Sequence, residues 1–523
     1  EEGKFPSFQL PSGLLSDEER TRLLSLGLEV APANEARLER ELGWIYAALC
    51  AVTEQVVLST GGGQPSYLLE RTERLFPRHP VLRGEDYPYL PDAAAAAASF
   101  VRQERTELLS AHPALLQAAW DLQTRSRFDF SPLDPARVRG LYGEEIRLSA
   151  SKLDKFSACK YQYFLQYGLK SEPWKQARFD APVFGTFVHY VLEQTVRDVM
   201  ARGGFSAVSE PELSAIAERH IRAYAETWLP DMMSRGARFA YLFDRSRREV
   251  REIVADVGRE LRNSDFRPVD TELSFMRGGA LPPVEVRGQK GSSLITGFVD
   301  RVDLLDAGNA AYYRVIDYKT GRKEFDYASI LEGEGLQMLI YLFAIRKYGA
   351  ERYGKPLIPA GVLYVPSRSD MERVDPGESP EDIQALRQKK KRRKGLVLAD
   401  DAVLQAMEHG EAPEYLPVQV KKSGLTGDLA TREQFAQMER FVAQSLEEMT
   451  DAMLSGVVAP DPLIRGPMAS SCQYCDYQSA CHQDLCAIRK RYIAAVKPER
   501  FWQEVERRLD HAGHTDEGPT GSR

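Results

Sequence analysis

Cysteine is scarce in this sequence, with six in 523 residues. So few in so long a chain exclude a small disulfide-stapled scaffold, and a 43% hydrophobic content is enough to bury a sizeable core, so the length points to two to four domains. No apolar run is long enough to cross a bilayer, and the opening EEGKFPSFQL has neither the basic nor the apolar segment of a signal peptide. A cytoplasmic, reducing setting is therefore expected, in which clustered cysteines serve metals rather than disulfides. No G-x-x-x-x-G-K-[ST] occurs, which excludes a phosphate-cradling P-loop from this chain; GGGQPS at 61–66 lacks the lysine and reads as a loop. The chain does not open on Met, and EEGKFP reads like the middle of a domain, so a fragment is expected.

Excess positive charge is also missing. Lys plus Arg is 69 against 76 Asp plus Glu, which argues against a surface coated uniformly for nucleic acid. Basic charge is concentrated instead in QKKKRRKG, where Lys389, Lys390, Lys391, Arg392, Arg393 and Lys394 stand in a row. Such a run reads either as a solvated loop, the commoner case, or as a contact to phosphates. VKKSGLTGD at 420–428 resembles a strand entering a glycine turn.

Four of the six cysteines stand in SCQYCDYQSACHQDLC, residues 471–486. Cys472, Cys475 and Cys481 follow C-x2-C-x5-C, and Cys486 comes five residues later. The spacing allows a local zinc site, with His482 as a competing ligand, or a site completed by a ligand from elsewhere. Cys50, on an apolar helical face, is expected to be a buried small residue.

Residues 1–128 mix helical pattern, as in EARLERELGWIYAALCAV, with a strand-like QVVLST at 55–60. FDFSPLDPARVRG, with two prolines, reads as a linker into a second unit. In SASKLDKFSACKYQYFLQYGLK, Ser151 followed by Asp154 has the form of a capping box and Gly168 is placed to end the helix, with Phe156, Cys159, Tyr163 and Tyr167 near one face. A second helix from about Phe184 to Met200 puts His189 and Glu193 one turn apart. TGFVDRVDLL and YYRVIDYKTG are strand-like, GLQMLIYLFAIRKYG is helical, and PAGVLYVP is a further apolar strand.

The chemistry gathers on that pair of strands. If they turn about Gly308 and Asn309, Asp300 faces Asp317 and Asp303 faces Arg314; Asp317 and Lys319 then share a face with Asp300. Two carboxylates at the end of apolar strands (Val299, Val302, Val315, Ile316) repel unless a cation sits between them. A hard divalent ion such as Mg2+ suits oxygen ligands and a phosphate substrate, and Lys319 would orient or help deprotonate the attacking water. The bland alternative is a salt-bridged hairpin on a solvent face. His189 and Glu193 are candidates to join the site, and Gln337 and Tyr341, four apart on the next helix, can reach the same groove.

FGTFVHYVLE, GFVDRVD, VIDYKTG and LQMLIY, in that order, resemble the successive motifs of the RecB-like branch of the PD-(D/E)XK nuclease superfamily: His, Asp, D-x-K, then Q-x-x-x-Y. The flanking SASKLDKFSACKYQYFLQYGL and CQYCDYQSAC resemble the iron–sulfur-stapled members that form the nuclease-bearing subunit of bacterial helicase–nuclease heterodimers. The resemblance covers most of 145–490. EEGKFPSF, LLSDEERTRLLSLGLEVAP and PSYLLERTERLFP resemble, more weakly, the end of the inactivated helicase-like region that precedes such a domain.

The resemblance implies an α/β fold: a restriction-endonuclease-like nuclease domain with a mixed central sheet flanked by helices, stapled by an iron–sulfur cluster and preceded by a helicase-derived α/β remnant. Its boundaries are expected at 1–128 for the helicase-like end, 129–148 for a linker, 149–490 for the nuclease domain, and 491–523 for a C-terminal helix and tail. By the same resemblance His189, Asp300 and Asp317 hold Mg2+ and Lys319 acts on water. Gln337, Tyr341 and the run Lys389 to Lys394 contact DNA. Cys159, Cys472, Cys475 and Cys481 hold a [4Fe–4S] cluster. The implied activity is Mg2+-dependent cleavage of the 5′-ended single strand as double-strand breaks are resected for recombination, beside a partner helicase–nuclease subunit and away from membranes. ATP hydrolysis and reading of the Chi sequence are not assigned to this chain. Two rivals remain: a stand-alone iron–sulfur exonuclease of the CRISPR-associated type, against which the helicase-like portion argues, and a non-catalytic binding module, against which intact Asp300, Asp317 and Lys319 argue.

Overall fold

The computed structural model describes residues 15–28, 30–31, 34–58, 67–78, 113–125, 130–172, 181–228, 237–319, 321, 325–367, 379, 391–421, 424–466, 470–481 and 488–515. The chain divides into two compact units, Glu1–Arg127 and Phe128–Arg523. Among its described residues the first unit holds helices Asp17–Ser25, Asn34–Cys50, Tyr67–Leu75 and Pro113–Arg125. Ser16 and Glu19 close a reciprocal capping box at the first of these. Two expectations fail here. Residues 55–58 of the expected strand 55–60 form no strand, and Val57 is 79% exposed, while 59 and 60 lie outside the described residues; Cys50 is exposed rather than buried.

The second unit is organised by one eight-stranded mixed sheet. Its strands are β1 (Ile146–Ser149), β2 (Arg267–Phe275), β3 (Val284–Arg287), β4 (Ser292–Asp306), β5 (Ala311–Lys319), β6 (Leu357–Pro366), β7 (Lys394–Leu398) and, after a separate hairpin of β8 (Val418–Lys421) with β9 (Gly424–Gly427), β10 (Leu429–Ala430). The order β1-β4-β5-β6-β7-β10 is extended by β2 and β3, both antiparallel to β4. β4 is long enough to serve two neighbourhoods: its first half pairs with β1 and β3, its second with β2 and β5. β5 and β6 run parallel, joined through helix Gln337–Tyr353, as a parallel pair requires. Helices Ala181–Ala201, Glu210–Trp228 and Ala237–Arg262 pack together, with the first against β2 and β4.

The segment expected as a linker contains helix Pro135–Tyr142, capped by Asp134, and then β1. The helix after β1 starts two residues earlier than its sequence suggests. Ser149, not Ser151, is the N-cap, with its hydroxyl accepting from Lys152 N at 3.4 Å, while Asp154 accepts from Gly335 N at 2.8 Å. That helix, Ala150–Ala158, then breaks at Cys159, whose backbone is extended (φ −167°, ψ 120°), and restarts at Lys160. The break is held from the far end of the domain. Asp461 accepts from Lys160 N at 2.9 Å and pairs with the Lys160 ammonium and with Arg491 Nε at 3.2 Å. Arg491 follows in β12 (Arg491–Tyr492), which pairs with β11 (Leu463–Ile464).

Beneath the β4–β5 hairpin lies a layer of buried charge. Asp303 accepts from Arg301 Nε and Nη2 at 2.8 and 3.0 Å and from Arg314 Nε at 2.9 Å. Glu260, from the Ala237–Arg262 helix, lies 3.8 Å from Arg314 and accepts from Arg393 at 2.7 and 3.0 Å; Arg393 also donates to Asp256 at 3.1 Å. Three guanidiniums therefore meet three carboxylates. Taking one partner away strands the others in a dry interior, so Asp303→Ala is expected to destabilise the second unit by ~3–5 kcal/mol in urea unfolding. A loss below ~1 kcal/mol, the scale of a surface pair, would show that water reaches this layer.

Candidate active site

The hairpin takes the register expected of it. Asp303 pairs with Arg314 and Arg301 with Ile316, which carries Asp300 to the position opposite Asp317. Side chains alternate along β5: Tyr313 Oη donates to Leu342 O of the Gln337–Tyr353 helix, while Arg314 turns to Glu260 on the other side. Asp317 and Lys319 share the face of Tyr313. The Asp303–Arg314 pair is wholly buried, not a solvent-face salt bridge.

His189 comes in from the Ala181–Ala201 helix. Its Nε2–H donates to Tyr318 O at 2.8 Å, and Nδ1 lies 3.4 Å from Asp300 Oδ2. A backbone acceptor on one ring nitrogen that leaves the other facing a carboxylate is the arrangement of a metal-ligating histidine. Burial opposes charge on His189, but Asp300, Asp317 and Glu272 outweigh it and push the imidazole up to about 9. Glu193 is taken by Arg197 at 2.6 Å.

Glu272 is the residue that sequence reasoning missed. It stands on β2 between the Thr271–Arg301 and Leu273–Val299 pairs, opposite Asp300, with φ +51°. Among the described residues, His189, Glu272 and Asp300 form the one set of three or more His, Cys, Asp or Glu whose ligand atoms all lie within 4.8 Å of one another. Glu272, Asp300 and Asp317 thus make an acidic row across three strands. Burial first, then Asp300 and Glu193, push Glu272 up to about 7; burial first, then Asp300, push Asp317 to about 6 against the pull of Lys319 and His189. Lys319 Nζ lies 2.7 Å from Asp317 Oδ2, a buried oxygen that receives no well-aligned hydrogen bond. Crowded carboxylates suit a hard divalent cation.

Tyr341 is buried and stacks on Phe275, ring centroids 5.1 Å apart. A Cβ at position 297 would fall 1.8 Å from its hydroxyl, which is why the strand carries Gly297 just before the acids. Burial, then Asp317 and Asp300, raise the phenol to about 12. Gln337 is half-buried at the start of the same helix.

The basic run does not act as one surface. Lys389 and Lys390 lie outside the described residues. Lys391 sits 3.1 Å from Asp256, and Arg392 donates to Pro413 O at 3.3 Å. Arg393, expected at DNA, is 1% exposed and committed to Glu260 and Asp256, so it cannot contact a strand. Lys394 begins β7 and is exposed; it pairs in register with Tyr364, which pairs with Asp317, and so falls on the acidic face.

Cys159, Cys472, Cys475 and Cys481 are half-buried thiols. Burial raises Cys475, and the nearby sulfurs of Cys159, Cys472 and Cys481 raise it further. Burial likewise raises Cys159, whose sulfur meets backbone N–H groups of Gln162, Asp461 and Tyr161. Tyr161 Oη donates to Ala480 O at 3.3 Å and Tyr477 Oη to Ser171 O at 2.5 Å, stitching the two ends of the domain together around them. Cys486 and His482 lie outside the described residues.

A mixed sheet whose central hairpin offers an acidic row, followed by a lysine, defines a nuclease of the PD-(D/E)XK type. Residues 147–482 match the PD-(D/E)XK nuclease superfamily, and the chain belongs to it. Its curated relatives carry a more particular name. It is similar to AddB, the B-type chain of the ATP-dependent helicase/deoxyribonuclease, of Ruminiclostridium cellulolyticum (28% identical over 521 residues, 92% of this chain and 45% of the relative). The AddB of Clostridium botulinum is 28% identical over 553 residues (98% and 48%), and that of Caldanaerobacter subterraneus 28% over 572 (99% and 48%). The chain spans about half the length of the curated relatives it matches. No helix among the described residues is long and apolar enough to cross a membrane.

Proposed function

We propose that this chain is the nuclease-bearing part of an AddB-type subunit that pairs with an AddA-type helicase–nuclease subunit and cuts the 5′-ended single strand as double-strand breaks are resected. The observation that carries the reading is the acidic row Glu272, Asp300, Asp317 with His189 on one side and Lys319 on the other. These four ligand residues would hold Mg2+, which when bound supplies positive charge to phosphoryl oxygens and makes water a competent nucleophile. Asp300 and Asp317, on facing strands, set the spacing of the ligands. Lys319, paired to Asp317 yet 30% exposed, holds a positive charge where the phosphate gathers negative charge in the transition state. Gln337, at the helix start, contacts the strand. Tyr341 is too buried to touch DNA and supports the acids from behind.

Cys159, Cys472, Cys475 and Cys481 would hold a [4Fe–4S] cluster. The support is that the sulfurs of Cys159, Cys472 and Cys481 all act on the Cys475 thiol and raise it, so that cysteines from both ends of the domain influence one another; iron content and colour decide between the cluster and zinc.

Strand choice is tested on duplexes labelled at either the 5′ or the 3′ end, with the partner helicase, ATP and Mg2+. Shortening of the 5′-labelled strand is expected with wild type and is expected to be lost with Asp317→Ala, while any cutting of the 3′-labelled strand by the partner persists; loss of 3′-strand cutting alone in Asp317→Ala contradicts the assignment. Within the basic run, Lys394→Ala is expected to reduce the salt dependence of single-strand binding by about one unit of slope, the share of a single neutralised phosphate. An unchanged slope would return Lys394 to the solvent.

A further inference from the structure

Tyr318 stands between Asp317 and Lys319, at a position the D-x-K motif leaves open. Its main chain serves two site residues at once. The amide donates to Asp300 Oδ2 at 2.7 Å, and the carbonyl accepts from His189 Nε2 at 2.8 Å. A single residue of β5 thereby orients a carboxylate from β4 and an imidazole from the Ala181–Ala201 helix. Its side chain leaves by the opposite face of the sheet. There the phenol meets Arg301 Nη1 at 2.8 Å.

Arg301 cannot follow a shift of Tyr318. Both oxygens of Asp303 hold it, and Asp303 is held in turn by Arg314. Arg301, Asp303 and Arg314 are all 0% exposed, so no solvent is at hand to replace a bond that opens. A buried donor left without a partner is costly, and more so when charged. Sliding or twisting β5 at residue 318 therefore means breaking the phenol–guanidinium bond. Asp317 and Lys319, its chain neighbours, are fixed with it.

We propose that Tyr318 and Arg301 are positioning residues for phosphodiester cleavage: they lock the centre of the D-x-K strand from behind, so that Asp300, Asp317 and His189 present their ligand atoms in register before a cation arrives. The inference rests on the nuclease reading above. It assigns the buried guanidinium layer a part in the reaction rather than in stability alone. Ligand orienters of this kind govern metal affinity by about 10–100-fold.

The test is a titration of Mn2+, which also favours carboxylate and imidazole ligands, into the full chain without DNA, followed by electron paramagnetic resonance. Wild type, Asp317→Ala and Tyr318→Phe are compared. Wild type is expected to bind, and Asp317→Ala to bind far more weakly. Tyr318→Phe is expected to fold, to bind Mn2+ about 10–100-fold more weakly than wild type, and to need correspondingly more Mg2+ for half-maximal cleavage, with its affinity for single-stranded DNA unchanged. An unchanged Mn2+ affinity in folded Tyr318→Phe, whatever its melting temperature, overturns the proposal and leaves the layer a purely stabilising one. Wild type that binds no Mn2+ overturns the nuclease site itself, and the brace with it. Arg301→Lys keeps the charge but not the guanidinium fork; it is expected to weaken Mn2+ binding in the same sense, and decides the question if Tyr318→Phe does not fold.

Discussion

Asp317→Ala is expected to slow DNA cleavage by at least about 10³-fold at saturating Mg2+. A divalent ion supplies several kcal/mol of charge stabilisation in a phosphoryl transition state, and each 1.36 kcal/mol is a factor of ten in rate. The fold should survive, because Asp317 lies near the end of β5 while Val315 and Ile316, which pack in the core, are untouched. Single-strand binding should survive too, since Asp317 adds negative charge to the groove rather than a contact. Single-turnover rates of variant and parent, compared beside their circular dichroism, give the answer. Comparable rates would remove the hairpin as the active site. Lys319→Ala is expected to fall as far in rate while still binding metal; loss of metal would mean that the ammonium holds Asp317 in place rather than serving the transition state.

The second large effect concerns iron. Purified without oxygen, the chain is expected to be brown and to carry about four irons, as a [4Fe–4S] cluster requires. Cys159→Ala should lose them and Cys486→Ala should keep them. Cys159 and Cys472 are 313 residues apart (472 − 159), so the cluster would close a very long loop, and its loss should lower the melting temperature of the second unit. Melting should not become complete loss of structure. The clasp of Asp461 with Lys160 and Arg491 ties the same two ends without any cysteine. Nor should cleavage vanish below the new melting temperature, since Glu272, Asp300 and Asp317 lie on β2, β4 and β5 rather than on the cysteine-bearing segments. A colourless, zinc-loaded protein, or iron retained by Cys159→Ala, contradicts the assignment.

The hairpin was legible in the sequence because strand periodicity and turn chemistry agreed: Gly308 and Asn309 mark the turn, and the alternation of Val, Asp and Arg on either side allows one register with opposite charges paired. Glu272 was not legible. Its strand shifts register between Pro268 and Asp270, and Glu272 itself sits at positive φ, so a period of two cannot say which face it takes. Arg393 was misread for a different reason. In a row of six basic residues nothing local separates Arg393 from Lys394; what separates them is a strand pleat and two acids, Asp256 and Glu260, one helical turn apart on a helix well over a hundred residues upstream. The break at Cys159 has the same origin, since the carboxylate that takes the first N–H of the restarted helix comes from Asp461. Local pattern predicted elements; charges brought from afar decided their ends and their buried faces.

The central claim is that Asp300 and Asp317 hold the ion that cleaves DNA. End-labelled single-stranded DNA incubated with the chain and its partner subunit tests it most directly, with Mg2+ titrated from excess chelator to saturation, for wild type and for an Asp300→Ala, Asp317→Ala double variant. Nucleolytic products beyond those the partner makes beside the double variant are expected to appear with Mg2+ in the wild type. Equal cleavage by the two proteins across the titration would contradict the account.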